Sequence, residues 1–232
     1  MIKSILKTTL LTTIVCFSTF IAKAQLGYNF SQVDLGVGIG LNQVSDGITP
    51  KTMTQSIHFN FTYNKTPYTN FVFEAQFGKL AGGDSTSAKS GGLQYNNNYA
   101  AFLFRGQLQL GEILDYQRSP FYNALKNLYV SAGLGFVVNH ITSISRIGSF
   151  TPGLDNSNLP FIPVRLGYEF KIFNSYQQPN IKIDLGLQYN YVLGDNLDGY
   201  ATGTNQAYIQ YTLGVKFAIG SGNTSYKKQI PY

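Results

Sequence analysis

The sequence predicts an all-β chain, an eight-stranded antiparallel transmembrane β-barrel behind a cleaved N-terminal signal peptide. Three observations carry that prediction. Apolar and polar residues alternate with a period of two in eight segments, clusters of Gly, Asn, Asp, Ser and Pro separate those segments, and the strand charges share the polar face.

The leader comes first. Lys3 and Lys7 precede an apolar, Thr-rich stretch over 5–21, and Ala22-Lys23-Ala24 precedes Gln25, the layout of a secretory signal with an A-x-A cleavage site. The apolar core is short and interrupted by Thr, Ser and Lys, which argues against an uncleaved anchor helix. Cys16 follows Thr13, Ile14 and Val15 rather than the small residue that lipoprotein processing needs, so it leaves with the leader. The chain then divides into a signal peptide over 1–24, a barrel over 25–220 and a polar tail over 221–232. The mature part has no cysteine, which excludes disulfides, metal thiolates and a thiol nucleophile. Removing Lys3, Lys7 and Lys23 lowers the formal charge from +6 to +3, too mild for a nucleic-acid partner. Trp is absent while Tyr and Phe number 17 each and Gly 24, a composition suited to strands, tight interiors and an aromatic interface.

The strands follow in order. Over 31–42, Val33, Leu35, Val37, Ile39 and Leu41 oppose Asp34, Gly36, Gly38, Gly40 and Asn42; over 55–64, Ile57, Phe59, Phe61 and Tyr63 oppose Ser56, His58, Asn60 and Thr62. Over 70–79, Phe71, Phe73, Ala75 and Phe77 oppose Val72, Glu74, Gln76 and Gly78; over 98–110, Ala100, Phe102, Phe104, Leu108 and Leu110 oppose Leu103, Arg105, Gln107 and Gln109. The segment 128–140 alternates less cleanly, with Leu128, Val130, Ala132, Leu134, Phe136 and Val138 facing away from Tyr129, Ser131, Gly133, Gly135 and Asn139. The last three, 161–173, 181–193 and 207–219, set aliphatic and aromatic faces against Arg165, Glu169 and Lys171, against Lys182, Asp184 and Gln188, and against Gln210, Thr212 and Lys216. Strands of nine or more residues cross a bilayer when tilted, and an even count closes the sheet, leaving no unpaired edge in lipid.

The connections alternate in length. Segments 43–54, 80–97, 141–160 and 194–206 are long and polar, as extracellular loops are, whereas 65–69 and 174–180 are short periplasmic turns. Segment 111–127 is longer, but Ser119-Pro120 before Phe121, Leu125 and Lys126 reads as an N-cap, a first-turn proline and a short helix over the periplasmic mouth. The tail ends as a flexible polar segment.

Alternation alone also fits a soluble barrel with its apolar face inward. Charge placement separates the two. No Asp, Glu, Lys or Arg is expected on the apolar face, while Asp34, Glu74, Arg105, Arg165, Glu169, Lys171, Lys182, Asp184 and Lys216 share the other. A lipid-facing Lys or Arg at mid-membrane costs about 2–4 kcal/mol, so a clean apolar face is what lipid selects. The glycines of the polar face suit a crowded lumen. Tyr63, Phe71, Phe161, Phe173, Tyr191 and Tyr208 near strand ends are candidates for interface girdles.

Several stretches carry a resemblance. The A-K-A-Q cleavage region, Leu128-Tyr129-Val130-Ser131-Ala132-Gly133-Leu134-Gly135, Pro163-Val164-Arg165-Leu166-Gly167-Tyr168-Glu169-Phe170 and Asp195-Asn196-Leu197-Asp198-Gly199-Tyr200 make the chain similar to the small outer-membrane β-barrel proteins of the Bacteroidota, akin in architecture to the OmpA transmembrane domain and OmpX. The departure is after the last strand, where Phe217 and Ile219 precede a polar tail in place of an aromatic residue closing that strand.

The candidate chemistry is sparse. The nine lumenal charges are nearly balanced and are read as an ion-pair and hydrogen-bond plug, in an interior just wide enough for side chains. His58 on the lumenal face has no Ser or Asp partner set by spacing and reads as a core hydrogen bonder. His140, with Thr142 and Ser143 beyond, is compatible with an outer-leaflet esterase, but no acid is evident nearby. Asp195, Asn196 and Asp198 lack the alternating ligands of a calcium loop and read as an Asx/Gly turn. Gly82-Gly83 and Gly91-Gly92 read as surface loop rather than a phosphate-binding loop. No catalytic residue, metal or cofactor is assigned. The expected partners are outer-membrane lipid and lipopolysaccharide, the barrel assembly machinery and surface ligands of the long loops. The function expected is a non-enzymatic outer-membrane barrel for envelope integrity or surface interaction, with a narrow channel, a lipid-modifying enzyme or a secretion accessory as alternatives.

Overall fold

The computed structural model describes residues 27–45, 50–84, 93–116, 119–145, 155–200, 203, 205–220 and 224–227. The leader with its cleavage site, Cys16 and the Gly91-Gly92 pair lie outside them. The strands are β1 (Gly27–Phe30), β2 (Val33–Val44), β3 (Thr54–Asn64), β4 (Thr69–Gly83), β5 (Leu93–Gln109), β6 (Leu128–Ser145), β7 (Asn156–Phe173), β8 (Pro179–Val192), β9 (Ala207–Ile219) and β10 (Thr224–Lys227). β2 through β9 close into one antiparallel barrel in chain order, sealed where Val33 pairs with Ile219 and Val44 with Tyr208. Closure pairs the first and last barrel strands with each other, so the barrel has no edge strand.

The pleat sorts the side chains. Phe104 is 53% exposed and the next residue, Arg105, 2%. Outward residues of β2–β9 form a continuous apolar belt in which facing rings meet across strands, Phe71 stacking on Phe104 at 6.0 Å and Phe77 meeting Phe102 edge-on at 6.3 Å. One break interrupts the ladders. β6 and β7 pair from Leu128↔Tyr168 to Ala132↔Val164 and resume at Gly135↔Phe161. Pro163, which has no N–H to donate, lies in that gap opposite Gly133, where a Cβ would strike the Phe104 carbonyl oxygen.

Five sequence expectations change. β4 to β7 run past their expected ends, so Gly82-Gly83 belongs to β4, paired with Tyr95 and Gln94, and is not surface loop. The amide-rich ends of β5 and β7 lack an apolar outward face, so alternation could not reveal them. Lys79, inside the expected strand over 70–79, sits on its outward parity, so the apolar face carries a charge that was not expected there. Phe161 and Tyr208 point inward and are buried, so neither joins a girdle. Within the tail Thr224 to Lys227 form β10, which pairs antiparallel with Phe30 to Gly27 of β1 as a separate two-stranded ribbon.

The short helix is present as α1 (Pro120–Leu125), with Ser119 Oγ accepting from Tyr122 N at 3.3 Å. It does not cover the mouth. None of its residues is buried, Phe121 and Tyr122 are exposed, and it is tied to the rim by Tyr168 OH donating to Ala124 O at 2.7 Å. The ends of β3, β5 and β7 and the starts of β4, β6 and β8, together with the β1–β10 ribbon, lie at one end of the barrel, and the ends of β2, β4, β6 and β8 with the starts of β3, β5, β7 and β9 at the other. These are called below the turn end and the loop end.

Candidate functional site in the barrel lumen

All nine lumenal charges predicted from the alternation are buried inside the barrel. Strand register places Lys171, Lys182 and Lys216 side by side on β7, β8 and β9, with Glu169 and Asp184 on the neighbouring row. Like charges directly opposite repel, so the row survives through diagonal partners. Lys216 Nζ reaches Glu169 Oε2 at 2.9 Å and Asp184 Oδ2 at 2.6 Å, and Lys182 Nζ reaches Asp34 Oδ2 at 2.6 Å. Lys171 Nζ donates to Pro67 O at 2.6 Å and Gln109 Oε1 at 2.7 Å, and lies 3.9 Å from Glu169 Oε1.

The chain of pairs continues across the lumen. Asp184 Oδ1 accepts from Arg165 Nη2 and from Tyr129 OH, each at 2.7 Å. Arg165 Nη1 lies 3.7 Å from Glu74 Oε2, which Arg105 Nη2 also holds at 2.5 Å. Such pairs in a low dielectric are held only with further hydrogen bonds, which Asn64 on Asp34 (2.9 Å) and Ser131 on Arg105 (3.0 Å) contribute. Missing Cβ atoms make the room. A methyl on Gly186 would strike the Arg165 guanidinium, and one on Gly36 would lie 2.9 Å from the Lys216 stem.

His58 has partners that its sequence spacing did not fix. Its Nε2 is 2.8 Å from Ser56 Oγ and its Nδ1 3.0 Å from Glu74 Oε1, a Ser–His–Glu sequence of contacts. Ser56 and His58 share a face by alternation, but Glu74 arrives from the next strand, where register and not sequence spacing brings it. The neighbouring cavity between Glu74, Arg105, Arg165, Asp184 and Lys216 holds about 10 Å³, room for a single water and for no acyl substrate. Ser56 is further occupied by Asn42 Oδ1 at 3.2 Å and Gln210 Nε2 at 3.3 Å, so the trio is part of the packed interior.

Both ends of the charged zone are covered. Toward the loop end, Tyr95, Tyr99, Phe161 and Tyr208 fill the lumen with Leu103 and Val137. The connection after β8 folds onto them, burying Leu197 and Tyr200, with Asn97 Nδ2 donating to Leu197 O at 2.8 Å. In that connection Asp198 Oδ1 accepts from Tyr200 N at 2.9 Å, the backbone bond of an Asx turn, and Asp195 Oδ2 accepts from Gly203 N at 2.9 Å, eight residues on. Among the described residues no cluster of metal-ligating side chains occurs. At the turn end, Tyr68 meets Tyr116 at 5.6 Å and Tyr226 of β10 at 5.9 Å, with Lys171 Nζ 4.6 Å over the Tyr68 ring. Burial, with Glu112 beside it, pushes the Tyr226 phenol up to about 12.

His140 faces outward on β6, and its Nδ1 is 2.7 Å from Asn156 Oδ1. Its partner is therefore an amide, and the side chain of Ser143 lies outside the described residues.

No protein-family model matches the chain, and no curated protein matches it. Among solved structures it is similar to neisserial surface protein A, at 13% identity over 82% of this chain and 98% of that one, with a TM-score of 0.50. The fold is that of an eight-stranded outer-membrane barrel. Two further matches are Ail, the attachment invasion locus protein of Yersinia pestis (13% identity, 81% and 97% covered, TM-score 0.42), and the N-terminal β-barrel domain of Pseudomonas aeruginosa OprF (13%, 82% and 99%, TM-score 0.31).

Proposed function

We propose that this chain is a non-enzymatic integral outer-membrane protein, exported by its cleaved leader, whose filled barrel supports envelope integrity and whose loop end faces the surroundings. The observation that carries the reading is the inversion of an ordinary soluble fold. Large apolar side chains lie exposed on all eight strands while nine ionisable groups are buried. Water penalises both arrangements and a bilayer rewards both. The loop end then lies outside, where lipopolysaccharide and surface ligands would meet it, and the barrel assembly machinery would insert it. The resemblance to Bacteroidota barrels points to a source in that group.

The filled lumen argues against conduction, since the space at its charged centre is about one water wide. The test is to fractionate the envelope and compare unboiled with boiled protein on gels, then to record current across planar bilayers. Expected are a faster unboiled band in the outer-membrane fraction and no stable open-pore current. A soluble, heat-indifferent band overturns the membrane reading, and steady conductance overturns the closed lumen.

A further inference from the structure

The outward face changes character at a single register step. Phe77, Ala100 and Val138 stand side by side on β4, β5 and β6 as the last apolar row, and the next outward row is Lys79, Asn98, His140 and Asn156, paired strand to strand. These four strands have 15, 17, 18 and 18 residues against 12, 11, 14 and 13 for β2, β3, β8 and β9, so they rise past the belt as a wall. All four side chains of the row are exposed.

Lys79 is the one ionised side chain on the outward parity of the eight barrel strands among the described residues. The lumenal lysines each have a carboxylate within 4 Å, whereas Lys79 Nζ has no ion pair among the described residues. Its backbone is fixed, because Lys79 O accepts from Asn42 Nδ2 at 3.2 Å and from Thr54 Oγ1. Nδ1 of His140 is engaged by Asn156 Oδ1, and the side chain is exposed. Asp155 precedes Asn156 by one residue, on the opposite parity.

We infer that this row is a binding site for the headgroup of a phosphorylated glycolipid of the outer leaflet. Lys79 meets the phosphate, the amides of Asn98 and Asn156 and the imidazole of His140 meet sugar hydroxyls, and the acyl chains lie on Phe77, Ala100 and Val138. Continuity with the belt selects a lipid over a soluble glycan, since only a lipid uses both sides of the boundary. A charge at this depth is cheap, whereas the same lysine at mid-belt would be costly. The inference rests on the outer-membrane reading above.

The test uses the full mature chain in phosphatidylcholine nanodiscs doped with lipid A, either bisphosphorylated or dephosphorylated, with native mass spectrometry counting retained lipid. Retention of the bisphosphorylated form should exceed that of the dephosphorylated form by roughly tenfold, the worth of one charge-assisted contact. The Lys79→Gln/His140→Gln variant should lose that preference while keeping the unboiled gel shift. Equal retention of both lipids by the inserted wild-type barrel, or an unchanged preference in the variant, overturns the site alone. A chain that does not enter nanodiscs and shows no gel shift sinks the membrane reading and the site with it.

Discussion

At Gly133 a single methyl group decides whether β5 and β6 can approach, because its Cβ would run into the Phe104 carbonyl oxygen and neighbouring backbone, which cannot rotate away. Gly106, on the outward face of β5, has nothing within 4 Å of the same added atom. Gly133→Ala should therefore lose about 1–3 kcal/mol, as overpacked sites do, while Gly106→Ala should stay within about 0.5 kcal/mol of the parent. Urea titrations of the unboiled gel band measure both. The same scale holds the ionic interior. Asp184 neutralises Arg165 at 2.7 Å and Lys216 at 2.6 Å and accepts from Tyr129. Asp184→Asn keeps the shape and removes the charge, so two buried cations lose a partner, and the loss should be about 3–5 kcal/mol in the same titration. A double change that also removes Arg165 should recover part of it, because the cost lies in the unpaired charge rather than in the missing contact.

Among the elements, the β1–β10 ribbon is held by its own ladder and by Tyr226 on Tyr68, not by the barrel's closure. A chain ending at Gly220 should consequently keep its gel shift, while hydrogen exchange across Gly27–Phe30 becomes fast where it is slow in the full chain. Persistent protection of β1 in that truncation would mean that the barrel rim, and not β10, holds it. The ribbon also shows where sequence reading stops. Four-residue strands at opposite ends of the chain carry no period long enough to detect, and their pairing is a property of where the barrel puts its two ends. β2, β3, β8 and β9 were legible nearly to their ends because apolar outward residues meet polar inward ones throughout. β5 and β7 were not, since Asn96, Asn98, Asn156 and Asn158 give their wall an outward face as polar as the inner one. Lumenal membership of the nine charges followed from parity alone, whereas the partners did not. Asp34 finds Lys182 across 148 residues, and Glu74 takes Arg105 and Arg165 through the register of separate ladders. Phe161 and Tyr208 misled because ring chemistry suggested an interface, while their parity places them inside.

For the molecule as a whole, the barrel couples two requirements that one residue type cannot meet together. In the proposed membrane setting its belt meets acyl chains and its wall meets headgroups and water, yet both are written on the same parity of the same strands. Strand β5 carries both along one line, with Phe104 at the middle of the belt and Asn98 six residues toward the loop end on the same face. An arginine placed at each position reads the boundary directly. Phe104→Arg should destabilise the inserted barrel by about 2–4 kcal/mol, the cost of a cation at the bilayer midplane, and Asn98→Arg by no more than about 1 kcal/mol, the cost near the interface. Reversible unfolding in lipid vesicles supplies the two values. If the protein were a soluble barrel, both arginines would sit in water at the surface and the difference would vanish, so the gap between the two variants measures the depth of the membrane on this strand. The turn end offers the matching control, because Leu108 ends the belt of β5 there as Ala100 does at the other end. Leu108→Arg should fall between the two values, nearer to Asn98→Arg, since a cation that close to the headgroups can reach them with its stem still in the apolar layer.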